Sequence, residues 1–248
     1  MNVDRNLFER KNEVLSYMRD RAEESYGEII RTFGESEYKK RASGINKKII
    51  ATTQGVKSII FQRASSQNWE KEEVLKNILI VTYSSYVIMI EFRNRAWPYE
   101  YMAFSRRIGE LWEPFCKLCF DYPIREDVEL YEAPLFSEVK EKLQEEIRVY
   151  INSLNINDDE KNNLLEYYDK VWSLVTSGEI KLELDLHFKV GSKKYNIDFK
   201  SGFQSNEKGN TNRLLLVASI YKNIIGGDNE CMLFVRADED ENNHYLQT

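Results

Sequence analysis

The spacing of apolar residues along the chain changes once, near Gly178. Upstream of it they recur at helical intervals. Glu13 to Arg31 predicts one helix, ending before Gly34. Ile45 to Ala64 predicts a second, Lys71 to Arg93 a third and most apolar one, and Tyr99 to Phe120 a fourth that opens after Pro98. Asp121 to Pro134 reads as irregular and acidic. Phe136 to Leu154 then sets Val139, Leu143, Ile147, Tyr150 and Leu154 on one helical face. Asn157 and Asp158 are good N-caps for a further helix. Its stripe is Leu164, Leu165, Tyr168, Val171, Trp172 and Val175.

Beyond Gly178 the period falls to two. Ile180, Leu182, Leu184, Leu186 and Phe188 alternate with Lys181, Glu183, Asp185 and His187, which predicts a half-buried strand. Gly191-Ser192 offers a turn, and Tyr195, Ile197 and Phe199 alternate with Asn196, Asp198 and Lys200 in a second strand. After the polar stretch Ser201 to Asn212, Leu214 to Ile225 predicts a helix closed by Gly226-Gly227, and Cys231 to Val235 a last strand. The expected fold is α/β, a small mixed sheet flanked by helices behind a large helical N-terminal portion. The chain divides into a mainly helical region 1–134 and a core at 135–248, which can also form one continuous domain.

A two-residue turn at Gly191-Ser192 fixes the hairpin register. Val190 faces Lys193, Leu186 faces Ile197, and Leu184 faces Phe199. On the other face Asp185 lies opposite Asp198 and Glu183 opposite Lys200, while a one-residue shift would set apolar against polar throughout. Facing carboxylates repel, and a divalent cation between them removes the conflict. Mg²⁺ suits two carboxylates because it keeps water and phosphate oxygens as its remaining ligands. Lys200, on the same face, can contact a phosphate, orient a water and stabilise negative charge. Glu183 reads as a cross-strand ion-pair partner of Lys200, and His187 as a surface or groove residue.

Composition narrows the reading little. The 248 residues are 42% hydrophobic and 31% charged, as in an ordinary globular protein, with a formal net charge of -6. Any nucleic-acid surface must therefore be a local basic patch. Cys116 and Cys119 form a C-x-x-C, but a structural zinc needs four ligands. Only His187 and His244 are available, so these cysteines read as buried and structural. The first residues carry no apolar signal region. Ile78 to Phe92 is interrupted by Thr82, Ser84, Ser85 and Glu91 and is shorter than the roughly 20 residues of a membrane span. The expectation is a cytoplasmic protein whose third helix is buried.

Asp185, twelve intervening residues, and then Asp198-Phe199-Lys200 resemble the PD-(D/E)xK nuclease pattern, and Ser201-Gly202 extends the likeness. The order of helix, hairpin, helix and strand over about residues 158–236 is similar to that superfamily's αβββαβ core. Leu184 stands where the pattern has proline, and only three strands are evident, leaving the fourth to a helical segment or to the C-terminal end. The resemblance implies a restriction-endonuclease-like core with catalytic Asp185, Asp198 and Lys200 and with Mg²⁺ on Asp185 and Asp198. Glu146 or Glu166 is a candidate third acid. In size, motif and extra helical mass the chain resembles a type II restriction endonuclease. Such an enzyme is a homodimer that cuts double-stranded DNA at a specific site and leaves 5′-phosphate ends. The alternatives are a nuclease of the same superfamily in repair or recombination, and a non-catalytic DNA-binding or interaction module.

Two segments suit DNA. Gln204, Asn206, Lys208, Asn210, Asn212 and Arg213 follow the second strand and carry the side chains that read base edges. A helix start near Asn212 would offer backbone amides to a phosphate. Tyr38 to Trp69 contains Lys39, Lys40, Arg41, Lys47, Lys48, Lys57 and Arg63 and no acid, which reads as a phosphate-backbone patch centred on Lys47 and Lys48.

Overall fold

A computed structural model of the chain describes residues 1–173, 180–200 and 208–235, and the side chains of 208–211 are not among what is described. The expected stripe position Val175 and the breaker Gly178 lie outside the described residues. The chain forms two compact units, Met1–Glu126 and Asp127–Thr248.

The first unit is four helices: α1 (Lys11–Thr32), α2 (Tyr38–Gln67), α3 (Lys71–Ala96) and α4 (Tyr101–Asp121). Each buries one stripe. Val14, Met18, Ala22 and Ile29 come from α1, and Ala42, Ile45, Ile49, Val56 and Ile60 from α2. α3 packs against α1, α2 and α4 and is buried along Ile78, Val81, Ile88, Met89 and Phe92. Each buried valine, isoleucine, methionine or phenylalanine among them contributes about 1.5–3 kcal/mol relative to exposure. By length and composition α3 is apolar enough to cross a membrane, yet half of its most apolar stretch is buried inside the protein.

Of the buried polar groups of α3, Asn77, Thr82 and Ser85 have hydrogen-bond partners, and Ser84 Oγ has none among the described residues. Thr53 Oγ1 donates to Ser85 Oγ at 2.7 Å. Asn77 accepts from the Phe8 amide at 2.9 Å and donates to the carbonyls of Asp4 and Arg5, pinning the N-terminal segment. α2 ends where Asn68 takes a left-handed φ of 50° and the Trp69 amide closes on the Ala64 carbonyl. Cys116 and Cys119 lie one turn apart on α4. They depart from the expected burial, since Cys116 is partly buried and Cys119 exposed.

The second unit is a four-stranded mixed sheet with helices. Its elements are β1 (Val128–Leu130), α5 (Phe136–Ser153), α6 (Asp158–Ser173), β2 (Leu186–Val190), β3 (Lys193–Lys200), α7 (Lys208–Ile220) and β4 (Asn229–Val235). The strand order is β1-β2-β3-β4, antiparallel through β3 and parallel between β3 and β4. The chain is thus α/β. The fourth strand is β1, neither in a helical segment nor at the C-terminal end. It lies in the stretch that reads as irregular, because three residues show no alternation of their own. Its pairing with β2, including Lys189 to Glu129 at 2.8 Å, defines it.

The hairpin has the expected register: Val190 pairs with Lys193 and Leu186 with Ile197. Gly191 supplies the φ of 61° that the tight turn needs. The first strand, however, begins at Leu186 rather than Ile180. Ahead of it, backbone groups turn to side chains: the Leu184 amide donates to His187 Nε2 at 2.8 Å, and the Leu182 carbonyl accepts from the Tyr221 hydroxyl at 3.2 Å. The pairs Leu184–Phe199 and Glu183–Lys200 are therefore not made. Leu182 and Leu184 instead join Phe136, Val217, Ile220 and Tyr221 in a helix-side cluster. α7 starts at Lys208, earlier than expected. It continues as a π-helical turn over Tyr221–Ile225, closed where the Gly226 amide meets the Tyr221 carbonyl.

Candidate active site

β3 carries two kinds of polar side chain on one face, and both are buried. Asn196 is fully buried. Its Oδ1 accepts from the Tyr131 hydroxyl and pairs with His187 Nδ1 at 2.8 Å, and its Nδ2 donates to the Glu230 carbonyl at 3.3 Å. Because His187 Nε2 accepts the Leu184 amide, its proton sits on Nδ1 and is donated to Asn196. His187 is thus a core residue, not the surface or groove residue its alternation suggested. Its ring is edge-on to Tyr131. Burial pushes the Tyr131 hydroxyl up to about 12 and raises that of Tyr221 as well. Both remain neutral hydrogen-bond donors.

Two residues along, Asp198 is 2% exposed. Lys200 Nζ lies 2.6 Å from its Oδ2 and Arg213 Nη2 lies 3.6 Å from its Oδ1. Beyond this ion contact, Oδ2 accepts no hydrogen bond among the described residues. Asp185 sits at the bend just before β2, one step beyond the last ladder pair. Its Oδ2 accepts the Phe199 amide at 2.7 Å, from the residue between Asp198 and Lys200. The Asp185 carboxylate thereby meets the end of β3 that carries Asp198 and Lys200. The expected ladder pair Asp185–Asp198 is not made, because β2 begins at Leu186: Asp185 takes a backbone amide and Asp198 two cations.

Asp198 Oδ2 is the observation that bears on a divalent cation. It is a buried carboxylate oxygen whose contact is with a cation, and a hard divalent cation fits such an oxygen. Asp185 and Asp198 are the residues that can hold the ion. Among the described residues no group of three or more histidine, cysteine or acidic side chains is arranged for a metal. Mg²⁺ needs only one or two carboxylates when waters and phosphate oxygens complete its shell. The candidate third acids sit elsewhere in surface ion pairs, Glu146 with Lys142 at 3.8 Å and Glu166 with Lys170 at 2.7 Å. Glu183 is exposed.

The expected DNA contacts divide. Gln204 and Asn206 lie outside the described residues, as do the side chains of Lys208 and Asn210. Asn212 is exposed within α7, beyond its first turn, so the amides at Asn212 are not the helix start that was expected to hold a phosphate. Arg213 turns onto Asp198, a contact that no spacing rule signals because it joins a helix to a strand. In α2, most cations of the acid-free stretch are engaged locally. Lys40 pairs with Glu37 at 2.7 Å, Lys48 with Glu28 at 3.5 Å, and Arg41 and Arg63 bind the carbonyls of Phe33 and Val3. Lys57 is half-buried, and burial lowers its pKa. Comparison of the chain with protein-family models, characterised proteins and solved structures finds no match.

Proposed function

We propose that this chain is a divalent-cation-dependent DNA nuclease of the PD-(D/E)xK type, and specifically a type II restriction endonuclease. The observation that carries the reading is the buried carboxylate of Asp198, in contact with Lys200, with the Asp185 carboxylate on the backbone amide of Phe199, which lies between them in sequence. The sheet supports it: three antiparallel strands, then a helix and a parallel strand, follow the order of the βββαβ part of an αβββαβ core, with α5 and α6 inserted after β1. A bound Mg²⁺ would polarise a phosphate oxygen and lower the pKa of a coordinated water. Asp185 and Asp198 hold the ion. Lys200, 18% exposed, can reach a phosphate oxygen and stabilise the charge that develops on it. The proposed substrate is double-stranded DNA, cut in the cytoplasm by a homodimer to leave 5′-phosphate ends.

Incubating the purified chain with a sequenced plasmid, with Mg²⁺ or with EDTA, tests the reading. Discrete fragments with Mg²⁺ alone support it, and cleavage without sequence preference points to a repair or recombination nuclease. A second reading, a non-catalytic binding module, is favoured by one observation: Lys200 and Arg213 already balance Asp198, as they would in a purely structural ion network. That reading expects no Mg²⁺-dependent cleavage.

A further inference from the structure

Asp198 cannot turn to solvent, whereas its two cations differ in freedom. Lys200 is 18% exposed and sits at 2.6 Å. Arg213 is 40% exposed, sits at 3.6 Å and comes from a different element, α7. Asp185, Asp198, Lys200 and Arg213 sum to zero charge. A divalent cation added to them unbalances the group unless one cation leaves, and the looser and more exposed of the two is Arg213.

We infer that Arg213 is a displaceable counter-ion that competes with the divalent cation for Asp198 and passes to a phosphate of the DNA when the metal binds. This inference rests on the metal site proposed above. A guanidinium is suited to the exchange because its planar donor fork matches carboxylate and phosphate alike and never deprotonates. Any phosphate that draws Arg213 away raises the affinity of Asp198 for the metal, and by linkage the metal raises the affinity for that phosphate. Metal is then held weakly by the free protein and strongly on DNA. Arg213 is accordingly a positioning residue, acting on the metal through Asp198.

Mn²⁺ titrated into the full chain without DNA, with free ion read by electron paramagnetic resonance, tests this. Arg213→Gln is expected to bind Mn²⁺ about fivefold more tightly than wild type, the factor that corresponds to losing one half-exposed ion contact. Arg213→Lys keeps the competing charge and is expected to bind as wild type does. A merely structural arginine would, on removal, leave the affinity unchanged or weaken it. Equal or weaker binding by Arg213→Gln, with wild-type binding intact, overturns the competition and leaves the metal site standing. No Mn²⁺ binding by either protein at millimolar concentration overturns both, and loss of binding in Asp198→Asn marks the measured ion as the one at this site.

Discussion

Replacing Asn196 with leucine keeps the number and branching of side-chain heavy atoms and removes every polar function of the residue. Three groups lose their partner: the Tyr131 hydroxyl, His187 Nδ1–H and the Glu230 carbonyl. An orphaned buried donor or acceptor costs about 1–3 kcal/mol. His187 is buried and bears this in full, while Tyr131 and Glu230 are partly buried and recover some hydration. The leucine regains some apolar burial in place of the amide. The net expectation is a loss of about 2–4 kcal/mol, read as a lower urea midpoint at neutral pH with an unchanged slope. Tyr131→Phe alone removes one hydrogen bond and is expected to cost about 1 kcal/mol. In the Asn196→Leu background it should cost almost nothing, because the bond is already gone. An Asn196→Leu protein as stable as wild type, or Tyr131→Phe costing the same in both backgrounds, would show that this buried network adds nothing to stability.

Three further outcomes are expected. Tyr131 is pushed up to about 12 by burial, so the unfolded chain releases its proton at lower pH than the folded one. Stability is therefore full below about 10, the ordinary tyrosine value. It falls as pH rises from there through about 12, and alkaline urea titrations should find that fall shallower in Tyr131→Phe. Asn77→Ala leaves the Phe8 amide and two carbonyls without their partner. It should cost about 2–3 kcal/mol and speed hydrogen exchange at Phe8, whereas unchanged exchange there would contradict the pinning. Desolvation holds the Cys116 thiol at about 11, so iodoacetamide at pH near 8 should label exposed Cys119 before Cys116, as mass spectrometry of the digested protein would record.

Much of this architecture is legible in the residue pattern because single elements carry their own period. The stripes of α1, α2 and α3 predict helices whose observed ends lie within a turn or two of those expected, and Gly191-Ser192 alone sets the hairpin register. The misses have a common cause: partners distant in sequence. β1 exists only through β2. The strand before Leu186 yields its pairing to His187 and Tyr221, side chains that offer the backbone better-placed partners than β3 does. Alternation marks His187, Asn196 and Asp198 as a polar and hence solvent-facing row, but hydrogen bonding among Tyr131, His187 and Asn196 allows that face to be buried. Asp185, Asp198 and Lys200 are visible as a motif. Arg213 as the second cation on Asp198 is not, since only the fold brings α7 to β3.

Cleavage of a randomised duplex DNA library by wild type, Asp198→Asn and Lys200→Met with Mg²⁺ measures directly whether Asp198 and Lys200 serve phosphodiester hydrolysis rather than structure alone. Wild type is expected to give discrete 5′-phosphorylated products sharing one sequence. Both variants are expected to lose at least about a hundredfold in rate, the order expected when one group stabilising transition-state charge is removed, while circular dichroism and urea midpoint show that they remain folded. An uncut library with folded wild-type protein, or variants that cut as wild type does, would contradict that role in hydrolysis.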